Sequence, residues 1–289
     1  MKIGKSWIIL LVTVLLTIAA TVLFSIKGFL VMMVLLILVA LYNLYPLVCC
    51  MKAGKKFNEG DNEGCVHYFE KAYKCHRATP MVILTYAYQL IRMSNTKRAE
   101  FILNDLLNSK KKLKPNEVLM AKQNLSLVMY KTERFAEAKE IMEDVFSESQ
   151  TTGTYGTLGY YKILSDGFAD SLVFCEKAYS YNDTDPVIAD NLLTVYMGLD
   201  RYEDAKAVVD HIMKTDKNKI LELFYHAAQI EEKIGDVAAA EHYLGMAKEQ
   251  NRSFLTTVSE EDIGVLEELI QKKIQAKNLP PDNFDTKAE

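Results

Sequence analysis

Cys65, Ala99, Ala138, Ser171, Ala205 and Ala240 recur at intervals of 34, 39, 33, 34 and 35 residues. A small side chain at a fixed phase marks a place where two helices pass too close for a larger one. The spacing therefore predicts an all-α array of helical hairpins, each stacked on the next. That rhythm begins directly behind a long apolar stretch, so the array is expected to start at a membrane.

The apolar stretch has two parts. No Asp, Glu, Lys, Arg or His occurs from Ser6 to Ile26 or from Gly28 to Met51, and only Lys27 separates them. Each part approaches the roughly 20 residues that cross a bilayer as a helix, so residues 1–51 are expected to form a two-helix transmembrane hairpin. Lys2 and Lys5 precede it and Lys52, Lys55 and Lys56 follow it, which places both ends in the cytoplasm. Trp7, Tyr42 and Tyr45 would anchor that same face. A cleaved signal peptide fits less well, because the apolar stretch is long, no A-x-A site follows, and a second span begins at once. The compact, lysine-flanked hairpin suggests a bacterial inner membrane. Thr13, Thr17 and Thr21 share one face of the first helix and would allow close packing. No Asp, Glu, Lys or Arg lies within either run to mark a transport path, which favours an anchor.

Behind the hairpin, helix-period patterns alternate with short polar breaks. Asp185 caps a helix opening at Pro186, a turn falls at 199–202, and a second helix follows, with Leu192, Tyr196, Tyr202, Ala205, Val209 and Ile212 inward. Phe224, Ala227, Ala228, Ala240, Leu244 and Ala247 repeat the unit after a turn at 234–236. Tyr155, Leu158, Gly159, Phe168, Ser171 and Ala178 occupy the same phases upstream. These residues resemble the tetratricopeptide repeat (TPR), with Tyr155, Leu158 and Gly159 matching its pattern best. Leu193 and Ser126 depart from it. The resemblance implies about six repeats over residues 46–254. Pro46, Pro80 and Pro186 each open the first helix of a unit, Thr79 and Asp185 being caps of the last two. Since Pro46 lies inside the end of the second apolar run, the first repeat is expected to grow out of the second span. Ser259 and Asp262 form a capping box for a final helix, 255–278, that covers the last repeat. Residues 279–289 read as a disordered tail.

The resemblance also implies that the first helix of each pair lines a concave groove. Mapped onto this chain, the protein-binding candidates are Tyr88, Gln123, Tyr130, Tyr160, Asp190, Thr194, Tyr225 and Gln229. Tyrosines offer broad contact area with a polar tip, which suits an extended segment or a helix. Leu84, Tyr88, Gln123, Leu127, Asp190 and Thr194 stand where some relatives carry a basic carboxylate clamp, so an acidic chain terminus is a poor fit. Lys110, Lys111, Lys112 and Lys114 lie in a longer break between repeats, where a solvated loop and contact with anionic lipid are both readings.

A net charge of −4 gives no global drive toward nucleic acid. Cys49, Cys50, Cys65, Cys75 and Cys175 form no paired motif and read as reduced thiols. Cys65, His67, Cys75 and His76 cluster in sequence, yet Cys65 falls on the small-residue beat and two of the four are adjacent, against zinc. No nucleotide loop, nucleophile elbow or zinc helix is present, and no cofactor, metal or small-molecule substrate is expected. The expected function is that of a non-enzymatic, membrane-anchored cytoplasmic scaffold or adaptor, holding a peptide segment or helix of a membrane-proximal protein. The alternative is a subunit of a translocation or transport assembly in which the hairpin works and the repeats regulate.

Overall fold

The computed structural model describes residues 5–23, 26–109 and 112–278. Fourteen helices and no strand occur among them. The chain divides into two compact units, residues 1–128 and 129–289.

The first unit opens with α1 (Lys5–Leu23) and α2 (Ile26–Asn58). Among the described residues one helix, α2, is long and apolar enough to cross a membrane, while the described apolar part of α1 is the shorter Leu10–Ala19. α2 continues through Pro46 without a break. α3 (Asn62–Lys74), α4 (Pro80–Arg92), α5 (Thr96–Asn108) and the greater part of α6 (Pro115–Lys131) follow. Their core holds Ile83, Leu84, Tyr86, Leu90, Ile102, Leu103 and Leu106, and Phe69 stacks on Tyr86 at 6.4 Å between ring centres.

The second unit comprises the end of α6 together with α7 (Phe135–Glu148), α8 (Thr152–Asp166), α9 (Phe168–Tyr181) and α10 (Pro186–Gly198). Then come α11 (Tyr202–Ile212), α12 (Leu221–Ile234), α13 (Val237–Lys248) and α14 (Glu260–Asn278). Leu192, Leu193, Val195, Val209, Ile212, Leu223 and Ile230 interlock α10, α11 and α12. Ile263, Leu266 and Ile270 of α14 close over Leu221, Ala228, Ala240 and Leu244.

All six small residues on the sequence beat are buried, Cys65 at 1% exposure and the other five at 0%. Each lies early in the second helix of a pair. A second beat accompanies the first. Gly60, Ser94, Glu133, Gly167, Asp200 and Gly235 all have positive φ, between 56° and 97°, and each sits four or five residues before a small residue. At five of these turns the next residue's N–H returns to the carbonyl five positions back: Asp61 to Lys56, Asn95 to Leu90, Arg134 to Met129, Arg201 to Tyr196 and Asp236 to Glu231. This left-handed cap satisfies the last carbonyls of the first helix and reverses the chain.

The caps divide. Asp185 accepts from the N–H groups of Val187 and Ile188, whereas Thr79 makes no side-chain cap bond although Pro80 follows it at the first helical position. Ser259 and Asp262 cap α14 reciprocally, Asp262 N–H donating to Ser259 Oγ at 3.0 Å and Ser259 N–H to Asp262 Oδ2 at 2.7 Å. The assigned tail, residues 279–289, lies outside the described residues.

Candidate functional site

In residues 129–289, the helices that open each pair share one face, and polar contacts link that face from helix to helix. Tyr130 near the end of α6 and Tyr160 in α8 meet hydroxyl to hydroxyl at 3.5 Å, with ring centres 5.6 Å apart. Tyr161 stacks on the same Tyr130 ring. α8 and α10 approach closely because Gly156 and Gly159 leave room. Asn191 Nδ2 donates to Gly156 O at 2.8 Å, and a Cβ on Gly159 would lie 3.1 Å from that nitrogen. One position earlier, Asp190 Oδ1 is 2.7 Å from His226 Nδ1 of α12. Glu222, one turn before His226, shares its face.

The electrostatics tie these groups together. Burial first, then the Tyr130 hydroxyl and the Asp190 and Glu222 charges, push the Tyr160 phenol far above its ordinary range, so it remains a neutral hydroxyl. For His226, burial pulls the imidazole down, but the Asp190 charge and hydrogen bond, with help from Glu222, outweigh it and leave the ring raised. Burial also lowers Lys131, next to Tyr130. The face thus carries the Tyr130 and Tyr160 hydroxyls, a histidine biased toward its cation, and two carboxylates.

Not every groove candidate joins this cluster. Tyr130, Tyr160 and Asp190 do. Thr194 turns its hydroxyl back to the Asp190 carbonyl at 2.9 Å. Tyr225 packs on the cluster between α12, α13 and α14, and Gln229 donates to its hydroxyl at 3.1 Å. Tyr88 is half-buried and Gln123 exposed in residues 1–128, where Asn124 of α6 donates to Leu84 O of α4 at 3.3 Å. Lys112 and Lys114 are described, and the Lys114 N–H is capped by Glu117 at 2.8 Å; Lys110 and Lys111 lie outside the described residues.

His226, beside Tyr225, reads in the sequence as a structural histidine that could line the groove, while Glu222 and Lys131 are not placed there at all. One signal for the first was available, since Asp190 and His226 are 36 residues apart, close to one repeat. Among the described residues no group of three or more His, Cys, Asp or Glu is arranged to hold a metal ion. A depression of about 430 Å³ along α5, lined by Lys97, Glu100, Phe101, Asn104, Asp105 and Asn108, shares none of these residues.

No protein-family model matches the sequence, and no curated protein matches it. Solved structures match the fold. A tetratricopeptide repeat protein from Parabacteroides merdae superposes with a TM-score of 0.64 at 13% identity, covering 93% of this chain and 100% of its own. PilF of Pseudomonas aeruginosa gives 0.56 at 14%, covering 82% and 99%. A thermophilic TPR protein from Thermus thermophilus gives 0.50 at 15%, covering 67% and 100%. At such identities the likeness is one of fold, and the fold is that of TPR proteins.

Proposed function

We propose that this chain is a membrane-anchored cytoplasmic scaffold or adaptor whose repeats hold a segment of a membrane-proximal protein. The observation that carries the anchor is the bare apolar surface of α2: Leu30, Val31, Leu38, Leu41, Leu47 and Met51 are each more than half exposed. Contiguous apolar surface of this kind is costly in water and ordinary in lipid. With α1 beside it, the proposed arrangement is a hairpin over residues 1–51, repeats over 46–254, and a covering helix over 255–278. The flanking lysines orient both ends toward the cytoplasm, and the bacterial inner membrane is the proposed compartment.

The TPR fold supports a protein-binding role, because function in such an array resides in the surface that stacked first helices present. Tyr130, Tyr160 and Asp190 form the centre of the proposed groove, with Tyr88, Gln123, Thr194, Tyr225 and Gln229 as further positions along it. The lysines at 110–114 are proposed to contact anionic lipid, at about 1 kcal/mol per charge near the surface.

The test is a photo-crosslinking residue placed singly at Gln123, Tyr160 or Thr194 in intact membranes, with exposed Val173 of α9 as control. Capture of one and the same protein from the groove positions, and not from Val173, supports the reading. Silence at all three groove positions, or equal capture at Val173, overturns it. An alkaline wash that strips the chain from membranes would overturn the anchor.

A further inference from the structure

The groove is already bridged by the chain's own polypeptide. Between α13 and α14, the segment at 250–259 folds back over the face that carries Tyr130, Tyr160 and Asp190. Lys131, 123 residues earlier at the end of α6, donates from Nζ to Phe254 O at 2.6 Å and stands 5.8 Å from the Phe254 ring and 5.3 Å from that of Tyr130. Three residues on, the Thr257 N–H donates to Glu222 Oε1 at 2.8 Å. Three residues span at most about 10 Å, so with the two hydrogen bonds the mouth between the Lys131 ammonium and the Glu222 carboxylate is no wider than roughly 15 Å.

The segment is preshaped. Arg252 Nη1 donates to Val258 O at 2.5 Å and Ser253 N–H to Thr256 Oγ1 at 2.9 Å, closing it into a turn. It is lightly held, because Leu255 at its crest is 44% exposed and only Val258, at its root, joins the core. Its two anchors are complementary in charge. A cation receives a main-chain carbonyl at one end, and a carboxylate receives a main-chain N–H at the other.

We propose that this strap is an internal occupant of the groove, displaced by a partner segment of the same chemistry. That segment is an extended peptide with an aromatic residue whose carbonyl meets Lys131, and with the N–H three residues later meeting Glu222. The proposal rests on reading this face as the partner groove. It adds that the resting protein is closed, that Lys131 and Glu222 fix the direction of the bound chain, and that affinity falls by the fraction of molecules with the strap seated. A strap seated about nine-tenths of the time weakens binding about ten-fold.

The probe is a fluorescein-labelled synthetic peptide of residues 250–259, titrated into the full chain in lipid nanodiscs. A released variant carries Phe254→Ala and Thr257→Pro, removing the ring and the anchoring N–H. The released variant is expected to bind the probe at least ten-fold more tightly than the native chain, and to lose that gain on adding Glu222→Ala. Equal affinity for native and released chains, or no binding to a released chain with unchanged helical circular dichroism, overturns the proposal. Should the released variant misfold, hydrogen exchange on the native chain decides. Saturating probe must speed exchange at the strap amides, and unchanged exchange overturns the proposal. The two readings fail separately. Probe binding by the released chain without a crosslinked partner removes the partner reading and leaves the strap. A crosslinked partner with an indifferent probe removes the strap alone.

Discussion

Arg77 donates from Nη1 to the main-chain carbonyl of Tyr42, the oxygen that Pro46 leaves without a helical donor. The guanidinium also lies over the Tyr42 ring, 3.2 Å from its centre. The proline inside α2 therefore frees the acceptor by which the turn between α3 and α4 is fastened to it. The turn after α3 is thus joined to α2 by this polar lock as well as through the chain itself.

The two residues should be energetically coupled. Arg77→Met leaves the Tyr42 carbonyl without its donor and is expected to cost about 1–2 kcal/mol. Pro46→Ala restores a helical N–H to that oxygen, so the same Arg77→Met change should cost about 1 kcal/mol less in the Pro46→Ala background. Apparent melting temperatures of the four detergent-solubilised proteins complete the cycle. Strict additivity would mean that Arg77 does not serve the carbonyl that Pro46 frees.

The buried beat predicts where bulk is not tolerated. Ala205 in α11 is fully buried, while Ala207 on the same helix is exposed. Ala205→Leu should destabilise by about 1–3 kcal/mol through overpacking. Ala207→Leu should stay within about 0.5 kcal/mol of the native chain. Similar melting shifts for both would show that α11 does not approach its neighbour closely at that phase.

Much of this architecture was legible in the residues, and the gaps have physical causes. Small residues announce the packed phase of each second helix, and Ala99 and Ala240 are fully buried there. The left-handed turn beat was hidden because glycine marks only Gly60, Gly167 and Gly235, while Ser94, Glu133 and Asp200 adopt the same backbone with side chains that carry no such signature. Thr79 looked like Asp185 in sequence but does not cap, since the proline signal and the side-chain bond are independent. Asp190–His226 and Lys131–Phe254 join residues one repeat apart or farther, and a pattern within single helices does not report such pairs.

Glu133 offers a direct check on the turn. Its φ is 60°, a conformation glycine adopts freely and glutamate does not. Glu133→Gly should stabilise by about 0.5–1 kcal/mol, against the usual direction for a glycine substitution. A lowered melting temperature would place the turn elsewhere.

His226 predicts a pH dependence. Its folded-state pKa is raised above the ordinary 6.5 because Asp190 and Glu222 outweigh burial. The charges and titratable groups around it are Asp190 on α10, Tyr160 on α8 and Glu222 with Tyr225 on its own helix. A raised histidine contributes stability that is complete below about pH 6.5 and is lost as pH rises through the folded-state value. The melting temperature of the native chain should therefore fall across that window relative to His226→Gln, and parallel curves would exclude the pair as its source.

Lys206 and Glu231 show how the core tolerates a charge. Glu231 is 0% exposed, and its Oε1 lies 2.7 Å from Lys206 Nζ on α11. By distance this is an ion pair, yet by angle neither carboxylate oxygen has a hydrogen-bond partner, so the lysine's charge rather than a directed bond compensates the burial. Lys206 is itself partly hydrated and also reaches Asp210 at 2.7 Å, which moderates its value to Glu231. Removing the cation alone strands a buried carboxylate, so Lys206→Met should cost about 2 kcal/mol or more. Removing both charges leaves two apolar side chains of similar volume, and Lys206→Met with Glu231→Met should recover at least half of that loss. Melting temperatures of the two variants compare the outcomes, and a double variant less stable than the single would mean that Glu231 contributes to α12 by more than its pairing with Lys206.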